Sequence, residues 1–81
     1  MEHEEDVEPV LVAIYRLLGE RKKTSQAAVC KALGHPPMHG PTVRALALLY
    51  RAGDIAGMTI GTNPAPVYIE PTEQGRKRSA I

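Results

Sequence analysis

The apolar positions of this chain keep a helical period over its first two thirds and lose it over the last third. From Pro9 to Gly19 they fall at Val10, Leu11, Ile14, Leu17 and Leu18, which is the spacing of one helical face. Acids precede this stretch, suiting the positive end of a helix dipole, and Gly19 supplies a stop. A charged connector follows. Then Thr24 or Ser25 offers a hydroxyl to cap a second helix running to Leu33, with Val29 and Leu33 as its i, i+4 apolar pair. Gly34 is the residue free to turn left-handed after it.

His35 to Gly40 cannot continue a helix. Pro36 and Pro37 lack donors and restrict the residues before them. Pro41 suits the first turn of a third helix, where its missing N–H costs nothing. That helix is expected to reach about Ala52, with Val43, Leu46, Leu49 and Tyr50 on one face and Gly53 as its end. Beyond it the stretches Ile55–Ile60 and Val67–Glu70 are rich in strand formers and flank the turn-prone Gly61–Pro66, so they read as a hairpin. Thr72 to Arg78 reads as one last helical turn. The predicted core is Val10, Leu11, Ile14, Leu17, Val29, Cys30, Leu33, Val43, Leu46 and Leu49.

With 81 residues, one domain is expected, over 9–78, between an acidic tail at 1–8 and a short tail at 79–81. The absence of Trp and Phe leaves the core to Leu, Ile, Val and Ala, helped by Tyr15, Tyr50 and Tyr68. No apolar run is long enough to span a bilayer. The acidic start has the wrong sign for a signal or transit peptide, so a cytoplasmic protein with no membrane association is expected. The single cysteine, Cys30, excludes an internal disulfide.

Charge changes the picture once its placement is considered. The first eight residues hold five acids, and the rest of the chain holds ten Lys and Arg against four acids, an excess of six positive charges. That balance suits a polyanionic partner.

Three stretches carry a resemblance. "TSQAAVCKALG" is similar to the first helix of a helix-turn-helix motif, with Val29 and Cys30 in the apolar and small positions before the closing glycine. "TVRALALLYRAGDI" resembles a recognition helix and its exit. "VYIEPTEQGR" resembles the end of the wing in many bacterial and archaeal regulators, where a Thr-Glu-x-Gly-Arg run follows the last strand. Over Pro9 to Arg78 the chain therefore resembles the winged helix-turn-helix DNA-binding superfamily, without pointing to one member.

The resemblance implies an α+β fold of three helices followed by a β-hairpin wing. It implies sequence-specific binding of double-stranded DNA and transcription regulation, with the third helix in the major groove and the second across the phosphate backbone. On that reading Thr42, Arg44, Ala45, Leu48 and Arg51 face outward from the third helix. Thr42 and Arg44 lie near bases, and Arg44 can read a guanine bidentately. Ala45 and Leu48 lack polar groups and would meet a thymine methyl or a protein. Arg21, Lys22, Lys23, Ser25 and Gln26 would hold phosphates, and Arg76, Lys77 and Arg78 form a second basic cluster. Cys30 takes a small buried site where the second and third helices meet.

The sequence departs from the pattern in three places. The break holding Pro36 and Pro37 is some three residues longer than usual, the wing tip from Thr62 to Pro66 has no Lys or Arg, and Pro71 stands where an apolar residue normally precedes the Thr-Glu run. Many relatives of this kind bind as dimers. This chain has no long extra helix for the purpose, so a homodimer would use the first helix, the wing or the chain ends. The rival reading is a winged-helix protein–protein interaction module, contacting its partner through Ala45 and Leu48.

His3, Cys30, His35 and His39 include a Cys-x4-His-x3-His spacing, which is not a zinc ligand pattern and offers one sulfur. No metal or cofactor is expected. An enzyme is not expected either, since the chain has no nucleophile–base arrangement, no glycine-rich phosphate loop and too little mass for a cleft-forming second layer.

Overall fold

A computed structural model describes residues 2–19 and 21–79, with the backbone alone described for residues 2–6. In chain order the elements are α1 (Glu2–Leu18), β1 (Thr24–Ser25), α2 (Gln26–Ala32), α3 (Gly40–Ala52), β2 (Ile55–Met58), β3 (Tyr68–Pro71) and α4 (Glu73–Ser79). The chain is a small α+β protein, with four helices and a three-stranded antiparallel sheet of order β1-β3-β2 among the described residues.

Helix α1 begins well before the expected Pro9. Its backbone is already helical through the acidic segment expected to be a tail, and Pro9 sits inside it with no N–H to give. The side chains of the acids at 2–6 and of His3 lie outside the described residues. The apolar stripe of α1 faces inward as the spacing requires: Val10, Leu11, Ile14 and Leu18 are buried, while Leu17 is half-buried at the rim.

Helix α2 is capped by Ser25, whose Oγ accepts from the Ala28 N–H at 3.1 Å. Val29 and Cys30 are fully buried, and Leu33 packs half-buried against the core. Past the helix end the chain folds back on itself. The His35 N–H donates to the Cys30 carbonyl at 2.9 Å, and the rings of His35 and His39 stack with centroids 3.9 Å apart. That stack closes the seven-residue link around Pro36 and Pro37 and delivers the chain to α3 with Pro41 in its first turn.

The buried side of α3 is not the expected one. Thr42, Ala45, Leu46 and Leu49 form it, Val43 is half-buried, and Tyr50 is exposed. At 100° per residue the whole arc is turned by roughly 60° from the Val43–Leu46–Leu49–Tyr50 face. Helix α1 packs along α3, with Thr42 beside its Pro9 and Val10, and the small buried side chains of Thr42 and Ala45 suit a close approach. Gly53 ends α3 with φ 89°, a left-handed conformation that glycine adopts without penalty.

The hairpin pairs Ile55 with Pro71 and Met58 with Tyr68 at its ends. Both strands are displaced from the expected bounds: β2 stops at Met58 and not Ile60, and β3 runs one residue later. Ile55 and Ile69 point into the core, and Met58 and Tyr68 point out of it. The loop that joins the strands dips back inward at Ala65 and Pro66, both buried, and the Asn63 side chain holds the bend by accepting from the Ala65 N–H at 3.0 Å. Strand β1 was not expected; it adds two residues to the far side of β3, pairing Thr24 with Ile69 and Ser25 with Tyr68.

Helix α4 makes two turns instead of one and is locked at its start. Thr72 Oγ1 accepts from the Gly75 N–H at 3.0 Å and donates to the Gly53 carbonyl at 2.8 Å. Ser79, expected in the tail, is its last residue. No helix among the described residues is long and apolar enough to cross a membrane.

Candidate nucleic-acid interface

The outward side of α3 follows from what its inward side buries. Positions 40, 44, 47 and 51 lie opposite the Thr42–Ala45–Leu46–Leu49 arc, so Arg44 and Arg51 are exposed on one side of the helix, with the half-buried Ala47 between them. Leu48, 42 % exposed, lies to one side of the two arginines. Neither arginine makes an ion pair among the described residues, where Arg78 alone does so.

The hairpin loop flanks this side of α3. Thr62, Asn63 and Pro64 share a groove with Met38, Gly40, Val43, Arg44 and Ala47. On the sheet, Lys23 leads into β1 and its ammonium stands over the Tyr68 ring, 5.4 Å from the centroid. Tyr68 pairs with Met58 at the base of the same loop. Arg44 thus stands against the loop from α3, and Lys23 stands over the first residue of β3, which follows the loop. Arg21, Lys22 and Lys23 are all exposed.

Several expected contacts are placed elsewhere. Thr42 is 3 % exposed, and its hydroxyl is hydrogen-bonded to His39 Nδ1 at 2.9 Å, so it packs under α1 and does not face outward. Ala45, also 3 % exposed, is core and offers no outward contact to DNA or to a protein. Gln26 is 6 % exposed; its backbone N–H donates to the Val67 carbonyl at 2.8 Å, and its Nε2 is buried with no hydrogen-bond partner among the described residues. It is no phosphate donor at the surface. Ser25 is half-buried, with its oxygen committed to the α2 cap. Of the α3 and α2 residues singled out, Arg44, Leu48 and Arg51 are the ones presented to solvent.

The basic cluster after β3 divides. Lys77 is exposed. Arg76 is exposed but leans over the Tyr15 ring, 5.9 Å from its centroid. Arg78 pairs with the carboxylate of Asp54, which is fully buried, and reaches Glu8 at 3.8 Å.

Asp54 and Tyr15 are the polar residues that sequence reasoning missed. The Tyr15 hydroxyl donates to the Asp54 carbonyl at 2.7 Å and accepts from the Thr72 N–H at 3.0 Å. Gln74 Nε2 donates to Asp54 Oδ1 and to the Ala52 carbonyl, each at 2.9 Å. Gly75 comes so close that a Cβ there would collide with the Asp54 carbonyl and the Tyr15 hydroxyl. One signal was present: an isolated glycine in a helical stretch commonly marks a close approach.

His35 and His39 stack beside Pro9, Val10, Leu33, Pro41 and Thr42. Among the described residues no group of three or more His, Cys, Asp or Glu is placed to hold a metal ion. The chain matches no protein-family model, no curated protein and no solved structure.

Proposed function

We propose that this chain is a winged helix-turn-helix protein that binds double-stranded DNA through α3, as a cytoplasmic transcription regulator and not an enzyme. The order α1, α2, α3 and then the β2–β3 hairpin agrees with that reading. The observation that carries it is the pair of exposed arginines on one side of α3, Arg44 beside the hairpin loop and Arg51 two turns on, neither of them in an ion pair among the described residues. Phosphates are neutralised by exposed Lys and Arg, and a helix fits the major groove. Arg21, Lys22 and Lys23 are the phosphate contacts in this reading, with Lys77 as an additional one.

The test is fluorescence anisotropy of a labelled random-sequence duplex, titrated with the full chain at increasing salt. The affinity is expected to fall with salt. In the Lys22→Ala, Lys23→Ala variant the log–log slope is expected to flatten by about 0.9 for each phosphate that is no longer neutralised. No salt-dependent binding at any concentration would refute the proposal.

One observation favours a second reading, a protein-interaction module. Met58, Ile60 and Tyr68 expose large apolar side chains on the hairpin. With Ala45 buried, a protein partner would use this hairpin surface, together with Leu48 on α3. Absence of DNA binding in the same titration would favour it.

A further inference from the structure

Few groups on the outward side of α3 can discriminate one base pair from another. With Thr42 withdrawn under α1, Arg44 and Arg51 are the polar side chains on the exposed side. They are seven residues apart, which is nearly two full turns, so both project from the same side of the helix. Along the axis they are separated by about 10 Å, and a helix set in the major groove brings side chains about six residues apart over bases two steps apart, so this separation spans roughly two to three base-pair steps. Ala47 and Leu48 lie between them and carry no donor or acceptor. Arginine presents a fixed fork of donors that matches O6 and N7 of guanine, and no other base edge in the major groove offers two acceptors to it.

We infer that α3 reads two G·C pairs about two to three base pairs apart, one through Arg44 and one through Arg51, with what lies between them left unread by hydrogen bonds. The inference rests on the DNA-binding reading above and adds the class of duplex to it. The exposed Leu48 side chain offers a thymine methyl an apolar contact, so the central pairs carry at most a weak preference for A·T.

Selection from a randomised duplex library with the full wild-type chain tests the inference without relying on a variant. The selected duplexes are expected to share two G·C pairs about two to three positions apart. Anisotropy on the best duplex then assigns them. Arg44→Ala and Arg51→Ala, both at exposed positions, should each weaken binding by roughly tenfold to a hundredfold and each relax the preference at a different one of the two pairs. On random duplex DNA both should bind nearly as wild type does. Enrichment of G·C pairs at another spacing, or of no G·C pair, overturns the inference while leaving DNA binding intact. So does an Arg51→Ala loss that is equal on every duplex, the mark of a phosphate contact. Failure of the library to bind at all removes the underlying proposal instead.

Discussion

Two polar regions of this molecule use the same residue types in opposite ways. At the foot of the hairpin, Tyr15, Asp54, Thr72, Gln74 and Arg78 bind one another and the backbone, and a buried carboxylate is held by a guanidinium and an amide. On the outward side of α3, Arg44 and Arg51 are exposed and make no ion pair among the described residues. A buried polar group costs free energy unless it is hydrogen-bonded, so the first region must be internally complete for the chain to fold. An exposed arginine is solvated by water and contributes little to stability, so it remains free to engage another molecule. The arginines sort accordingly. Arg78 belongs to the fold although it sits in a basic run at the chain end, and Arg44 and Arg51 do not.

Substitutions can break the closed region in graded steps. The largest effect is expected at Gly75, where Ala would place a Cβ against the Asp54 carbonyl and the Tyr15 hydroxyl and force α4 off the α1–hairpin junction. Overpacking of this kind, with hydrogen bonds broken beside it, should cost about 3 kcal/mol, enough to shift a urea unfolding midpoint sharply in a domain this small. Arg78→Ala comes next. It leaves the buried Asp54 with Gln74 as its side-chain partner, and because Arg78 is itself 44 % exposed the loss should be about 2 kcal/mol, below the range for fully buried pairs. Tyr15→Phe removes one hydroxyl that joins α1 to Asp54 and Thr72, for about 1–2 kcal/mol in the same unfolding experiment. If all three variants unfold as the wild type does, the hairpin foot is not a structural junction and the contrast with α3 dissolves.

The contrast was only partly legible in the sequence. The helical period announced α1, α2 and α3, since each must bury a stripe, and Ser25, Pro41 and Gly53 marked helix ends through simple backbone chemistry. Strand β1 was hidden because two residues cannot display an alternation. The early start of α1 was hidden because the acids before Pro9 bring no apolar period and a proline reads as a beginning. The orientation of α3 was misread for a packing reason: Val43 and Tyr50 are the larger apolar side chains, yet the helix turns its small Thr42 and Ala45 toward α1, where closeness counts for more than volume. Gln26 was misread in the same manner, as a polar residue at a helix start that proves to be buried. Arg44 and Arg51 stayed outward under both orientations because they lie near the centre of the polar side; Ala45 lay at its border, and Thr42, at the i position to Leu46 at i+4 and Leu49 at i+7, already shared their inward face.

The decisive experiment is the affinity of the Arg44→Ala, Arg51→Ala double variant for duplex DNA at fixed low salt, alongside its unfolding midpoint. Surface changes away from structural contacts usually alter stability by no more than about 0.5 kcal/mol. An unfolding midpoint close to that of the wild type is therefore expected, with a loss of preference for the selected duplex and weak residual binding through Arg21, Lys22 and Lys23. Undiminished affinity and specificity in the double variant would mean that α3 is not the element that reads DNA.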